Sequence, residues 1–178
     1  LRGLGVDNVL VEIDSTEVPI MDGSSAPFVE AIDEVGLTEL DAPRRFLKVL
    51  KPVYVEDGGA VGELTPHNGF HLDVEIGFDT PLIGTQQIEI DVNPGSFRRE
   101  LSRARTFGFM KDVERLWAAG LALGASLENT VAIGDDRLLN RQGLRFADDF
   151  VRHKALDSLR DLALACAPTP APYRPPPG

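Results

Sequence analysis

From Val53 to Val92 the apolar residues tend to recur at every second position, and beyond Gly95 the recurrence lengthens to that of a helix. Period two turns alternate side chains to opposite faces of a strand, whereas period 3.6 gathers every third or fourth residue on one helical stripe. Strands followed by helices, then strands and a final helix, bury both kinds of face only by stacking as layers. The fold expected is therefore α+β, with helices on one face of a sheet.

The strand-like runs are Val9–Asp14, Phe46–Val55, Phe70–Phe78 and Gln87–Val92, with a turn at Asp57-Gly58-Gly59. Four helices are predicted. One spans Ala26–Val35 and ends at Gly36, a second runs from Gly95-Ser96 to Arg103 with Ser96 as N-cap, and a third covers Lys111–Ala119 and stops at Gly120. The last begins at Asp149 and reaches about Leu164, after a Thr130–Leu139 hairpin around Gly134-Asp135-Asp136. Thr38–Arg45 reads as a connection. Residues 167–178 hold six of the 13 prolines, a composition suited to an extended or disordered tail.

A formal charge of -10 and the lack of any long Lys/Arg run argue against a nucleic-acid or anionic-membrane surface. No apolar run reaches the length of a membrane span. The single cysteine, Cys166, forms no internal disulfide and fits a reducing, cytoplasmic setting as a small apolar residue.

The last helix carries the most suggestive chemistry. His153 and Asp157 are four apart, so an imidazole nitrogen and a carboxylate oxygen share one helix face, and zinc accepts such a pair. A hydrolytic zinc normally takes three protein ligands, so the third must come from elsewhere. The commoner fate of such a pair is a surface hydrogen bond or salt bridge, and spacing alone favours it. His67 and His71 flank a turn-like Asn68-Gly69, which is expected to point the two rings apart and leave them as surface residues. Thr106 suits either a helix-terminal hydroxyl or a donor to oxyanion charge; Phe107 and Phe109 suit core or the walls of an acyl passage; Lys154 suits solvent or an anionic oxygen. No zinc helix of the His-Glu-x-x-His type, phosphate loop or Gly-x-Ser-x-Gly is present to support Ser102 or Ser126 as a nucleophile.

Six ordered peptides together carry a resemblance: residues 3–8, Pro19–Phe28, Val55–Gly58, Ser102–Met110, Gly143–Phe146 and Phe150–Asp157. In these the chain resembles the UDP-3-O-acyl-N-acetylglucosamine deacetylases, zinc amidases of lipid A synthesis in Gram-negative bacteria. The resemblance implies two α+β domains, each a two-layer β-sheet/helix sandwich: residues 1–41 as the later part of an incomplete first domain, 42–166 as the second, 167–178 as the tail. It implies Zn2+, or Fe2+ in its place, held by His153 and Asp157 with a further histidine, and Thr106 stabilising the tetrahedral oxyanion. Phe107, Phe109 and Ser126 fall at positions around the acyl passage, and Phe78, Asp112 and Lys154 at positions around the sugar nucleotide. Ala125 stands where glycine is common. The substrate implied is UDP-3-O-acyl-N-acetylglucosamine, acted on in the cytoplasm by a monomer.

In the family a Glu-His-Leu motif supplies the proton-accepting glutamate and first zinc histidine, and a Gly-His segment supplies the acid. Neither occurs in these 178 residues. The expectation is a sequence truncated at both ends, poorly soluble and with little or no activity by itself. The alternative is a non-catalytic module that binds a sugar nucleotide or acyl chain.

Overall fold

The computed structural model describes residues 1–15, 17–120 and 122–165; Cys166 and the Pro-rich stretch lie outside the described residues. The architecture is α+β, as expected, but its strands form three separate two-stranded sheets. A 3-10 turn, Arg2–Leu4, and helix α1, Ala26–Val35, open the chain. Pro27 sits in the first turn of α1, where a missing N–H costs nothing, and Gly36 ends the helix at φ 76°.

Strands β1 (Val53–Asp57) and β2 (Ala60–Leu64) pair antiparallel around Gly58-Gly59, whose φ values of 57° and 85° match the positive pair a two-residue hairpin turn requires. Both strands are exposed throughout. Strands β3 (His71–Gly77) and β4 (Thr85–Asp91) form a longer antiparallel pair in register from His71↔Asp91 to Gly77↔Thr85. Next comes a helical turn, α2 (Pro94–Ser96), running straight into a π-helical turn at Phe97–Leu101. Ser96 is not the cap: Asn93 is, its side chain accepting from the Gly95 and Ser96 backbone while the Ser96 hydroxyl accepts from Asn93 N–H at 2.9 Å. The reciprocal bonds form a capping box, and the helix starts one turn earlier than Ser96 alone suggests.

Phe107–Phe109 is strand β5, which pairs in parallel with β6 (Val131–Ile133). Helix α3 (Met110–Ala118) follows β5, as a parallel pair needs a crossover. The expected hairpin after Thr130 is reduced to a bridge between Ile133 and Leu138, with Gly134 N–H donating to Arg137 O. Helix α4 closes the described fold at Asp149–Ala163.

One expected strand does not form and another is shortened. Residues 9–14 carry no regular structure, and in the Phe46–Val55 run the strand begins only at Val53. Alternation creates a strand face, but without a neighbour to hydrogen-bond, extended backbone has no ladder to join.

Helix α4 organises the core. Val151, Ala155 and Leu159 lie at successive fourth positions and face the inner side of β3–β4, together with Leu72, Ile88, Ile90, Phe97 and Leu101. Leu4 and Val29 belong to the same cluster, so residues on both sides of position 41 share one apolar interior. Phe150 turns to a second cluster with Ile83, Val131 and Ile133.

Candidate functional site

Motifs far apart in sequence meet at the start of α4. The Arg105 guanidinium lies 3.7 Å from the Asp149 carboxylate, both side chains 1% exposed. A charge so dry needs every available partner. Arg105 also donates to Gly143 O at 2.6 Å, while Asp149 accepts from the backbone N–H groups of Arg105 (3.4 Å) and Arg145 (3.1 Å). Burial lowers the Arg105 pKa and Asp149 opposes it, leaving the guanidinium charged. Asp149 occupies the first turn of α4, where a negative charge faces the positive end of the helix dipole.

Arg145 extends this network to the front of the chain. It donates to Ser24 Oγ and Arg103 O, each at 3.0 Å, and to Asp22 Oδ2 at 2.7 Å. Burial disfavours the ionised Asp22, but hydrogen bonds from Arg145 and Ser24 outweigh it and hold the carboxyl below its usual range. Between them Gly23 adopts φ 80°, and a Cβ there would stand 1.7 Å from Asn129 O. Only glycine fits. Gly23 O in turn accepts from Thr106 N–H at 2.9 Å, and Thr106 O accepts from Val131 N–H at 2.8 Å. Thr106 is thus fixed by its backbone between the 20–25 turn and β6, one residue before β5.

On the next turn of α4, His153 Nε2 lies 3.9 Å from Asp157 Oδ1, with side-chain exposures of 18% and 23%. Lys154 Nζ donates to the other Asp157 oxygen at 3.1 Å, and Arg160 approaches Oδ1 to 3.3 Å. Burial pushes the His153 pKa down, assisted by Lys154; Asp157, the Ala104 backbone and Asp149 pull the other way without prevailing. The imidazole is therefore neutral over a wider range than a free histidine, leaving one ring nitrogen with a lone pair. Its Nδ1 is buried and finds no partner in hydrogen-bonding geometry.

This pair fits a cation. A tetrahedral ion with bonds of about 2.0–2.1 Å sets its donors about 3.3–3.4 Å apart, so the 3.9 Å seen between His153 and Asp157 must shorten by a small side-chain rotation to close on one. Among the described residues, no third His, Cys, Asp or Glu completes a three-ligand group around it.

The His153 ring packs edge-on to Phe107 at 6.1 Å between centroids, and Phe107 and Phe109 each lie 5.9 Å from Phe78. Phe109 continues with Met110, Ile133 and Leu139 into a cleft of ≈ 540 Å³. The structure thus brings His153, Lys154, Asp157, Phe107, Phe78 and Phe109 into one connected group. Two expected residues are occupied elsewhere. Asp112 pairs with Arg115 on the outer side of α3 at 2.7 Å, and Ser126 builds a turn, its N–H donating to Asn129 Oδ1 at 2.9 Å.

From sequence, Asp22, Arg105 and Arg145 are only members of motif strings, and Asp149 only the start of the last helix. The available signal was an arginine set among small and apolar residues in Ser102–Phe109, a place where an unpaired charge would be intolerable. His67 and His71 were expected to diverge; instead their ring centroids are 5.3 Å apart and both approach Asp91. Gly69, at φ 138°, permits a sharper reversal than the Asn-Gly pair alone suggested.

The fold and these motifs define an α+β protein with a His/Asp pair one turn apart on its last described helix, beside an aromatic wall. The family model for UDP-3-O-acyl N-acetylglycosamine deacetylase (LpxC) matches residues 1–174, and the chain belongs to that family. It is 59% identical over 169 residues to UDP-3-O-acyl-N-acetylglucosamine deacetylases of Brucella ovis, Brucella canis and Brucella suis, a match covering 94% of this chain. The chain spans 59% of the length of each of these relatives.

Proposed function

We propose that this chain provides part of the machinery for removing the N-acetyl group of UDP-3-O-acyl-N-acetylglucosamine in lipid A synthesis. The observation that carries the reading is the half-buried His153, its pKa lowered by desolvation, facing Asp157 across 3.9 Å in a chain of the deacetylase family. Zn2+, with Fe2+ as the alternative, is the cation proposed for the pair; when bound it polarises a carbonyl and acidifies a water.

The chain's own residues prepare that site. His153 offers a lone pair because burial keeps its ring neutral, and Asp157 offers an oxygen whose charge Lys154 and Arg160 partly balance. Thr106 supplies a hydroxyl on backbone fixed at both its N–H and its C=O, which suits a donor aimed at charge developing on a carbonyl oxygen. Phe107 and Phe109 offer an apolar wall to an acyl chain and, with Phe78 packed against them, would keep water from a bound cation. Phe78, Asp112 and Lys154 are assigned to the sugar nucleotide and Ser126 to the acyl passage, with Lys154, Asp112 and Ser126 exchanging their present partners. The division at residue 41, a monomeric working form and a cytoplasmic setting in Gram-negative cells belong to the same proposal. Among the described residues no helix is long and apolar enough to cross a membrane.

The test is a chimera in which this chain replaces the matching 169 residues of the Brucella ovis relative. The chimera should release acetate from the substrate, H153A and D157A should each lose about 10²-fold or more in kcat, and T106V about 10²–10³-fold. Full turnover by D157A with unchanged zinc content would overturn the assignment.

A further inference from the structure

The outer face of the β3–β4 pair carries a second set of ligand-type side chains that the deacetylase reading does not use. Along β3, Leu72, Val74 and Ile76 pack into the core under α4, so His71, Asp73 and Glu75 point the opposite way, to solvent. His71 opens β3 and its cross-strand partner is Asp91, the last residue of β4. His71 Nδ1 lies 2.8 Å from Asp91 Oδ1, and His67 Nε2 lies 3.9 Å from the same oxygen. The three donor atoms all fall within 4.8 Å of one another.

Two imidazoles converging on one carboxylate oxygen, rather than spreading into water, is the arrangement a shared cation favours. A tetrahedral ion with bonds of about 2.0–2.1 Å keeps its donors about 3.3–3.4 Å apart, which small side-chain rotations reach from the observed separations. The surroundings add attraction: Asp73 faces Glu89 directly across the ladder, and Glu75 follows on the same side. Like charges opposite each other on a sheet repel and gain from a nearby cation.

We infer that His67, His71 and Asp91 form a surface site for a borderline divalent ion such as Zn2+, separate from the pair on α4. Two nitrogens and one oxygen, with water in the remaining position, select Zn2+, Cu2+ or Ni2+ over Ca2+ or Mg2+, which prefer all-oxygen shells. The ion would clip the segment before β3 to the far end of β4, joining His71 and Asp91, 20 positions apart in the chain.

Zn2+ is titrated by calorimetry into the 178-residue chain carrying H153A and D157A, which removes the α4 pair. One equivalent should bind and raise Tm, and adding H71A or H67A should weaken binding at least tenfold and abolish the rise. Should the α4 double variant fail to fold, H71A in the otherwise unaltered chain should bind one zinc fewer. All three clip residues are exposed, so their substitution leaves the core intact. Zinc affinity unaffected by H67A and H71A, or Ca2+ bound as tightly as Zn2+, overturns the site.

Discussion

Asp22 shows how one side chain can report on the whole convergence of motifs. Its carboxylate accepts from Arg145 and from both the N–H and hydroxyl of Ser24, and only the ionised form rewards all three. D22N should therefore destabilise the chain at neutral pH by about 1–3 kcal/mol. The sign of the pH dependence follows from the lowered folded pKa. Below the ordinary value of 3.8 the unfolded chain takes up the proton first, so stability is present in full above that value and drains away as pH falls through the folded one. Urea midpoints of the parent and D22N should differ at pH 7 and converge toward about pH 2; a gap that persists in acid would mean the carboxylate is not the source. Nothing in the string Met21-Asp22-Gly23 announces this role, because the partner that fixes it lies on the far side of the chain. His67 and His71 are surface residues as expected, but their convergence escapes the sequence for the same reason: a local turn rule cannot supply Asp91, which arrives through strand register.

At the scale of elements, helices proved more legible than strands. The helices α1, α3 and α4 carry their own periodicity and, for the first two, a glycine just beyond the end, so local information suffices. Strands need a partner. Residues 9–14 alternate but find none, whereas β5 and β6, three residues each, pair in parallel without enough length to show a pattern. Helix α4 is the element on which core and candidate site depend together, and its faces should respond differently to truncation. L159A, on the sheet-facing stripe, should cost about 2–5 kcal/mol, whereas R160A on the exposed side should stay within about 0.5 kcal/mol. Thermal or urea unfolding of the two variants checks this; equal losses would mean the stripe is not packed as described.

Across the whole molecule, burial is uneven. Residues gathered by α4 are close to fully buried, yet Leu10 is 83% exposed and Leu50 81%, and Val53, Tyr54, Val55 and Val61 of β1–β2 are exposed too. So many exposed large apolar side chains favour self-association. The charge of -10 opposes it by repulsion between copies. Raising salt from about 0.05 to 0.5 M shortens the range of that repulsion severalfold, so light scattering should show mass rising with both salt and protein concentration. A mass independent of both would show that the apolar surface is covered. The layered class and the α4 pair could be read from the chain itself because both are local patterns; how far apolar faces go uncovered depends on which strands find neighbours.

The Arg145 clasp has a consequence in time. It joins residues 121 and 123 positions apart, and a polymer must bring such points together before either bond contributes anything. At about 5–20 residues per second, a ribosome delivers Arg145 roughly 6–25 s after Asp22. For that interval the glycine turn that steadies Thr106 lacks its Arg145 anchor, and the newborn chain must wait for that arginine before the two halves of the site can meet.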